Sequence, residues 1–381
     1  LFRSLLKEIR ASRGPAIHAG ASAPALDERK VLTAALLMAG GMPGVEKQFS
    51  EPVLEAANKQ HRGIGLQDVL VMAARKGGYT GGSRIRESGT LREVLRAAFS
   101  TGDIADVLAA TYGKSLLQGF NSVEAVWDQI SAVRPVSDFK TYTGVRLDGG
   151  FVFDEVGNDG KIKNADPADD TRTIRAKTYA RMTSLTRQDI INDDLGALTQ
   201  VPQRLGRGGA LKLNSVFWTE FESSNSTAYQ KKTPAAGNAL SITSLKAAVG
   251  DYRKLTDPDS NPLGIAPAIL LVPPELEITA AELMGSSLIH GTSGAAPSTN
   301  VLAGRYRVVS SAYLTSATTW WLCASPADLA VMEVAFLNGQ RSPTVEQAEA
   351  DFDVLGVQMR GYFDFGVAKG DSRSAYRMAI A

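Results

Sequence analysis

The chain is poor in the residues that build reactive centres. One cysteine, Cys323, stands among 381 residues, which excludes an intrachain disulfide framework. It lies in the apolar run TWWLCA and reads as a buried small hydrophobe. The three histidines, His18, His61 and His290, show no metal-ligand spacing, and no pattern of Asp or Glu completes a zinc site. No apolar run is long enough to span a bilayer, and no signal peptide is visible, so no membrane partner is expected. Aromatic residues make up 7% of the chain and are not interleaved with basic ones, so no base-stacking surface stands out.

The nucleotide and nucleophile motifs fail one by one. Thr111–Ser115 (TYGKS) ends like a phosphate-binding loop, but Leu108 stands where the leading glycine belongs, and the segment carries a helical stripe. Gly63-Ile64-Gly65 begins like a dinucleotide fingerprint, but position 68 is Asp68. There is no G-x-S-x-G, and Ser293 beside His290 sits in a polar loop. The carboxylate pairs Asp169/Asp170 and Asp193/Asp194 are explained by a turn and a helix cap. No catalytic, metal or cofactor site is expected, which favours a structural or binding protein over an enzyme.

What is present is a globular composition, 44% hydrophobic and 21% charged, long enough for two or three domains. The net charge is +1, unevenly placed: residues 1–100 hold 15 Lys/Arg against 9 Asp/Glu, the remainder 26 against 31. The basic segment suits a polyanion or a solvated helical face.

The organising stretch is Thr183–Glu222. Thr186 with Asp189, and Asp193 with Asp194, are cap signals. Leu198, Leu205, Leu213, Val216, Phe217 and Phe221 then recur at helical spacing. Pro202 removes a backbone donor and predicts a kink. Gly206, Gly208 and Gly209 weaken the helix further or admit another backbone at close range.

Before this spine, residues 1–100 read as short helices: one capped by Asp27 and stopped by Gly40, one opened by Glu51 and Pro52, one over Leu66–Arg75. They are too small for a full core and suit an arm packed on its own body or on neighbours. Ser100 and Asp103 cap a further helix. Val123, Val126, Trp127 and Ile130 predict another, ended by Pro135. From Asp138 the period changes. FKTYTGVRL and GGFVFDEV read as strands, GNDGKIKNADPADD as a loop tip, and TRTIRAKTYARMT as the return strand. On it Ile174, Ala176, Thr178, Ala180 and Met182 share one face, and Arg175, Lys177, Tyr179 and Arg181 the other. A lone two-stranded ribbon is marginal in water. It would fold back on the body in a monomer, or lie on a neighbour in an assembly, offering its basic stripe to carboxylates there.

After the spine, residues 223–240 read as a surface loop, and Thr243 caps a helix. Ala268–Val272 is a buried strand, and Pro274 opens a helix at its first turn. Strands are expected at Tyr306–Ser310, Thr319–Ala324 and Leu329–Leu337, and the tail after Thr344 returns as strands that could pair with the ribbon base and pack on the spine.

Three segments carry a family resemblance: STGDIADVLAATYGKSLLQGF, the VSDFK strand start, and KTYARMTSLTRQDIINDDLGAL. Over roughly residues 98–380 the chain resembles the major capsid proteins of tailed bacteriophages, the Hong Kong ninety-seven fold. Within them it looks like the Mu-like head-subunit group, which includes prohead protease–capsid fusions. The resemblance implies an α+β phage major capsid fold: an N-terminal arm and helical extension at 1–137, an extended two-stranded loop at 138–183, a peripheral domain with the long spine helix at 184–240 and 338–381, and an inserted α/β axial domain at 241–337. It implies hexamers and pentamers closing an icosahedral shell around double-stranded DNA, in the virion, after assembly in the host cytoplasm. It further implies partners: neighbouring capsomers, packaged DNA bound non-specifically through the basic arm, scaffold, maturation protease, portal and cement proteins. Proteolysis of a longer precursor would suit a chain that starts at Leu1. Arg175, Lys177 and Arg181 become candidate inter-subunit contacts, and Pro202, Gly206, Gly208 and Gly209 the candidate spine hinge. Without the resemblance, the residues also fit a tail or decoration subunit, or a hydrolase with a dispersed Asp/Ser site.

Overall fold

The computed structural model describes residues 27–61, 66–82, 102–148, 168–186, 195–223, 229–289, 298–349 and 356–380, with residues 90, 93, 94, 97, 153, 155, 156, 164, 188 and 192 between them. The chain divides into two compact units. The first draws its described residues from Leu1–Ser115, Thr183–Pro202 and Glu346–Met359, the second from Leu116–Met182, Gln203–Val345 and Arg360–Ala381.

Helices α1 (Glu28–Ala39), α2 (Glu51–His61), α3 (Leu66–Lys76) and α4 (Gly102–Asn121) precede the first strand. Asp27 caps α1 by accepting from the Arg29 N–H at 3.1 Å. In the first unit, Val31, Ala34 and Ala35 of α1 pack on Val53 and Ala57 of α2, and Leu37 packs on Met42 and Val45. These are small clusters, but they are docked on their own chain. Lys114 of α4 places its Nζ 3.6 Å from the centroid of the Phe49 ring, and burial there lowers the ammonium's pKa. Thr199, in the first turns of α5 (Leu195–Ser223), donates its hydroxyl to the Gly40 carbonyl at 3.0 Å.

The second unit holds the strands β1 (Ser131–Val136), β2 (Tyr142–Asp148), β3 (Ala168–Ile174), β4 (Lys177–Thr186, through Met182), β5 (Gln230–Lys231), β6 (Pro267–Val272), β7 (Leu288–Ile289), β8 (Ser298–Thr299), β9 (Arg307–Ser310), β10 (Trp320–Ala324), β11 (Met332–Leu337) and β14 (Ala375–Met378). It also holds most of β13 (Gly356–Lys369), the start of β12 (Thr344–Glu349), and the helices α6 (Ile242–Arg253) and α7 (Pro274–Gly285). One sheet runs β1-β11-β13-β12, with β4 also pairing β13; a second runs β5-β14-β10-β6-β9; β2-β3 and β7-β8 are separate two-stranded sheets. The sheets exchange strands across position 338: β11 joins the first sheet, while β14 returns to the second.

The run Trp320–Ala324 explains the core. All five residues are buried, so both faces of β10 are covered. Alternation sends Trp321 and Cys323 to a cluster with Phe217 and Phe221 of α5, Trp127 and Phe336. It sends Trp320, Leu322 and Ala324 to a second cluster with Leu245 and Tyr252 of α6 and Met284 of α7. β6 divides the same way, Ile269 and Leu271 against Leu270 and Val272. Burial pushes the Cys323 thiol up to about 12, which fits a packing residue and not a nucleophile.

Several expectations need correction. The stripe from Val123 to Ile130 is not a helix: α4 ends at Asn121, and Val126–Gln129 is one 3-10 turn leading into β1. Val126, Trp127 and Ile130 are buried all the same, so the spacing reported burial and not helical structure. Pro135 lies inside β1, which ends its sheet and therefore tolerates a residue without an N–H. The return strand breaks at Arg175–Ala176, where β3 leaves β2 and β4 joins β13. Ile174 and Ala176 are buried, but beyond the break Thr178, Ala180 and Met182 are exposed, and Tyr179 turns in to stack on Phe365 at 4.5 Å. β3 begins at Ala168, inside the expected loop. The expected second strand at 149–156 and the tip at 157–167 lie almost wholly outside the described residues. So do the caps at Asp189, Asp193 and Asp194. Residues 223–240 are not merely surface: Tyr229 is buried and donates to the Val331 carbonyl at 2.9 Å, and Asn238 donates to the carbonyls of Thr233 and Ala379. Ser241, not Thr243, caps α6, through a reciprocal pair with Ser244.

Candidate assembly surface

The ribbon β2–β3 is held in register from Tyr142↔Ile174 to Asp148↔Ala168. Among the described residues β2 and β3 pair only with each other, and contacts at the ribbon's base tie it to the body. Arg172 of β3 reaches Asp371, in the turn between β13 and β14, at 3.1 Å. Asp371 is 1% exposed and also accepts from Arg373, through its backbone N–H at 2.8 Å, Nε at 3.0 Å and Nη2 at 2.9 Å. Burial alone would raise its carboxyl pKa, but the hydrogen bonds from Arg373 and the charges of Arg373 and Arg172 hold it down to about 2. On the other strand, the Tyr142 ring lies with its centroid 4.8 Å from the guanidinium of Arg134 on β1, which pairs with Glu333 at 3.5 Å. Arg134, Tyr142, Gly144, Arg172 and Glu333 line a pocket of about 190 Å³ at this base.

Of the basic stripe, Arg175, Lys177 and Arg181 are all exposed. Arg175 is partly used inside the chain, since its Nε donates to the Phe139 carbonyl at 2.9 Å. Lys177 and Arg181 flank Tyr179 on β4, and Lys212 of α5 lies 5.3 Å over the same ring. The stripe is thus held on a strand whose own aromatic residue is stacked into the core.

α5 is helical without a break through Pro202, which is buried. Its glycines are not equivalent. Gly206 faces α4 backbone to backbone: a Cβ there would stand 1.9 Å from the Leu116 carbonyl oxygen. Gly119 of α4 mirrors it, 1.8 Å from the Gln203 carbonyl oxygen. Gly209 meets the Pro343 ring at 2.9 Å, and Gly208 meets nothing. Sequence reasoning named Gly206 but not its partner Gly119. It also missed Arg172, Asp371 and Arg373, whose only local signal is an Asp two residues before an Arg in a turn.

Among the described residues no cluster of His, Cys, Asp and Glu could hold a metal ion, and no helix is long and apolar enough to cross a membrane.

No curated protein sequence matches the chain. Among solved structures it is similar to the virus-like particle of Pyrococcus furiosus, with 13% identity over 70% of this chain and 97% of that one and a TM-score of 0.44. It is similar to the capsid of cyanophage P-SCSP1u, with 12% identity over 68% and 88% and a TM-score of 0.49. It is also similar to the capsid of the native GTA particle, with 13% identity over 68% and 92% and a TM-score of 0.47. A family model described as phage capsid protein matches residues 169–378, from the ribbon's return strand through both clusters of the core to β14. That match spans more than half of the chain, and the chain therefore belongs to the phage capsid protein family, as a structural subunit of the virion shell.

Proposed function

We propose that this major capsid protein closes with copies of itself into hexamers and pentamers of an icosahedral shell around double-stranded DNA, and that a longer precursor is trimmed by a maturation protease. The arm and helical extension are residues 1–137, the extended loop 138–183, the peripheral domain 184–240 with 338–381, and the axial domain 241–337. Neighbouring capsomers, scaffold, portal and cement proteins are its partners. The observation that carries this reading is the ribbon, anchored at its base by Arg172 and Asp371 but with only two strands of its own. Such an element needs a surface to lie on, and a second copy supplies one. Repeated use of one surface against a different one generates closed rings.

Electron microscopy and sedimentation of the purified precursor test this directly. Closed polyhedral shells, or separate hexamers and pentamers, are expected. A subunit that stays monomeric or dimeric at every concentration overturns the reading.

Lys177 and Arg181 are the stripe residues assigned to the adjacent subunit. Exchanging both for Gln is expected to leave the circular dichroism spectrum unchanged and to move most of the protein from shells to small capsomers in sedimentation. Wild-type yields of shells would remove the stripe from the interface. Pro202 is the assigned hinge, with Gly206, Gly208 and Gly209 following it. Pro202→Ala restores a backbone donor and helix propensity, a local gain of up to about 3 kcal/mol. Precursor shells of this variant are expected to expand more slowly than wild type by time-resolved small-angle scattering; equal rates would exclude Pro202 as the hinge.

A further inference from the structure

One face of α5 takes no part in the core, in the ribbon anchor or in the crossing with α4. Helical spacing puts Arg204, Arg207, Gly208, Leu211, Lys212 and Ser215 on one arc, and all six are exposed. Pro202, Gly206, Ala210, Leu213 and Phe217 occupy the opposite arc and are buried. From Leu195 to Thr219 the sequence holds no Asp or Glu; the first is Glu220. Arg204, Arg207 and Lys212 span about 12 Å of helix axis. Among the described residues none of the three forms an ion pair. Arg207 donates to the Ser122 hydroxyl at 3.4 Å, and Lys212 lies over the Tyr179 ring. Both partners are neutral, so among the described residues nothing compensates the positive charge. Arg204 and Arg207 are like charges at i, i+3, an arrangement mildly repulsive until an anion covers it. Gly208 leaves bare backbone between them and Lys212, with no atom within 4 Å of the missing Cβ.

We infer that this face of α5 binds the sugar–phosphate backbone of duplex DNA without reading its sequence. The inference rests on the proposed shell around DNA, and it places the contact on the spine and not on the arm. Phosphate contacts require cations and close approach, and this arc offers both. The acidic surface of a second copy is the competing occupant. The arc has one large apolar side chain, Leu211, too little for the core of a standard protein interface.

The test is fluorescence anisotropy of a labelled mixed-sequence duplex titrated with the full chain between about 50 and 200 mM salt. The variants are Arg204→Gln/Arg207→Gln/Lys212→Gln and, separately, Lys177→Gln/Arg181→Gln. The triple variant is expected to bind at least about tenfold more weakly at the lowest salt. The slope of log Kobs against log salt should become shallower by about 2.7, and each single exchange should account for about 0.9. The stripe variant should keep the wild-type slope. An unchanged slope in the triple and single variants overturns the inference, as does a wild type that assembles but binds no duplex at low salt. Loss of shells in the triple variant with unchanged DNA binding gives the face to a second copy and also overturns it. The expected slope difference between wild type and the triple variant, found for a wild type that never assembles, supports the DNA site and removes the shell reading instead.

Discussion

Gly206→Ala is expected to destabilise the subunit by about 3 kcal/mol, as overpacking at an unyielding site does. The new Cβ would stand 1.9 Å from the Leu116 carbonyl oxygen and 3.0 Å from the Phe120 nitrogen, both backbone atoms of α4. No rotamer change relieves such a contact; the helices must separate. Gly119→Ala meets the Gln203 carbonyl oxygen at 1.8 Å from the other side and should cost about as much. Once one exchange has parted the helices, the second meets less resistance, so the double variant should fall short of the sum by about 0.5–3 kcal/mol. Gly208→Ala is the control. It sits in the same helix with open space around it and should stabilise by about 1 kcal/mol through helix propensity. Urea unfolding of unassembled subunits measures all four variants. A Gly206→Ala variant with a wild-type midpoint would show that α4 and α5 do not meet at this crossing. The result also bears on the proposed hinge: Gly206 serves close packing, Gly208 is free to bend, and Pro202 lies one turn before the crossing.

Asp371→Asn is expected to cost about 3–5 kcal/mol, the usual penalty for removing one partner of a buried charge cluster. The side chain is 1% exposed, and Arg373 is almost as deeply buried, so the exchange leaves two guanidinium groups facing an amide. Because Arg172 ties the ribbon to this carboxylate, proteolysis within the ribbon should accelerate before global unfolding begins. The carboxyl also gives a pH signature. Its pKa falls from 3.8 unfolded to about 2 folded. Its stabilisation, about 2 kcal/mol, is therefore fully present above the unfolded value and is lost as pH falls through the folded one. Wild type should lose that increment between about pH 4 and pH 2, and Asp371→Asn should lack it. Identical acid limbs in the two unfolding curves would remove Asp371 from the anchor.

Much of this molecule can be read from one sequence because its strongest signals are local. Asp27 and Gly40 bound α1 at the positions expected of them, Pro274 opens α7, and the apolar run Ala268–Val272 is a strand covered on both sides. The helical recurrence of Leu213, Phe217 and Phe221 marked α5 and its buried face together. The family signal lies in the same region, in the segment that leads from the ribbon into the spine. Where the sequence misled, two structures served one pattern. Val126, Trp127 and Ile130 are buried whether they lie on a helix or on a turn running into an edge strand, and periodicity over eight residues does not separate the two. The alternation through Lys177–Met182 was real, but the break at Arg175–Ala176 changed which side faces the core.

The sequence by itself determined the capped helices, the apolar core strands, the spine and the family, since capping, periodicity and apolar runs act over a few residues and need no partner. Only the tertiary structure decided what those elements meet. Trp320 and Trp321 are neighbours in the chain yet belong to different cores, because β10 is covered on both faces. Gly119 and Gly206 form one contact across more than eighty residues, because only two bare backbones let α4 and α5 touch. Asp371 becomes the anchor of a distant ribbon because the turn before β14 brings it beside Arg172. Contacts of this kind depend on distance in space, and no spacing along the chain encodes them.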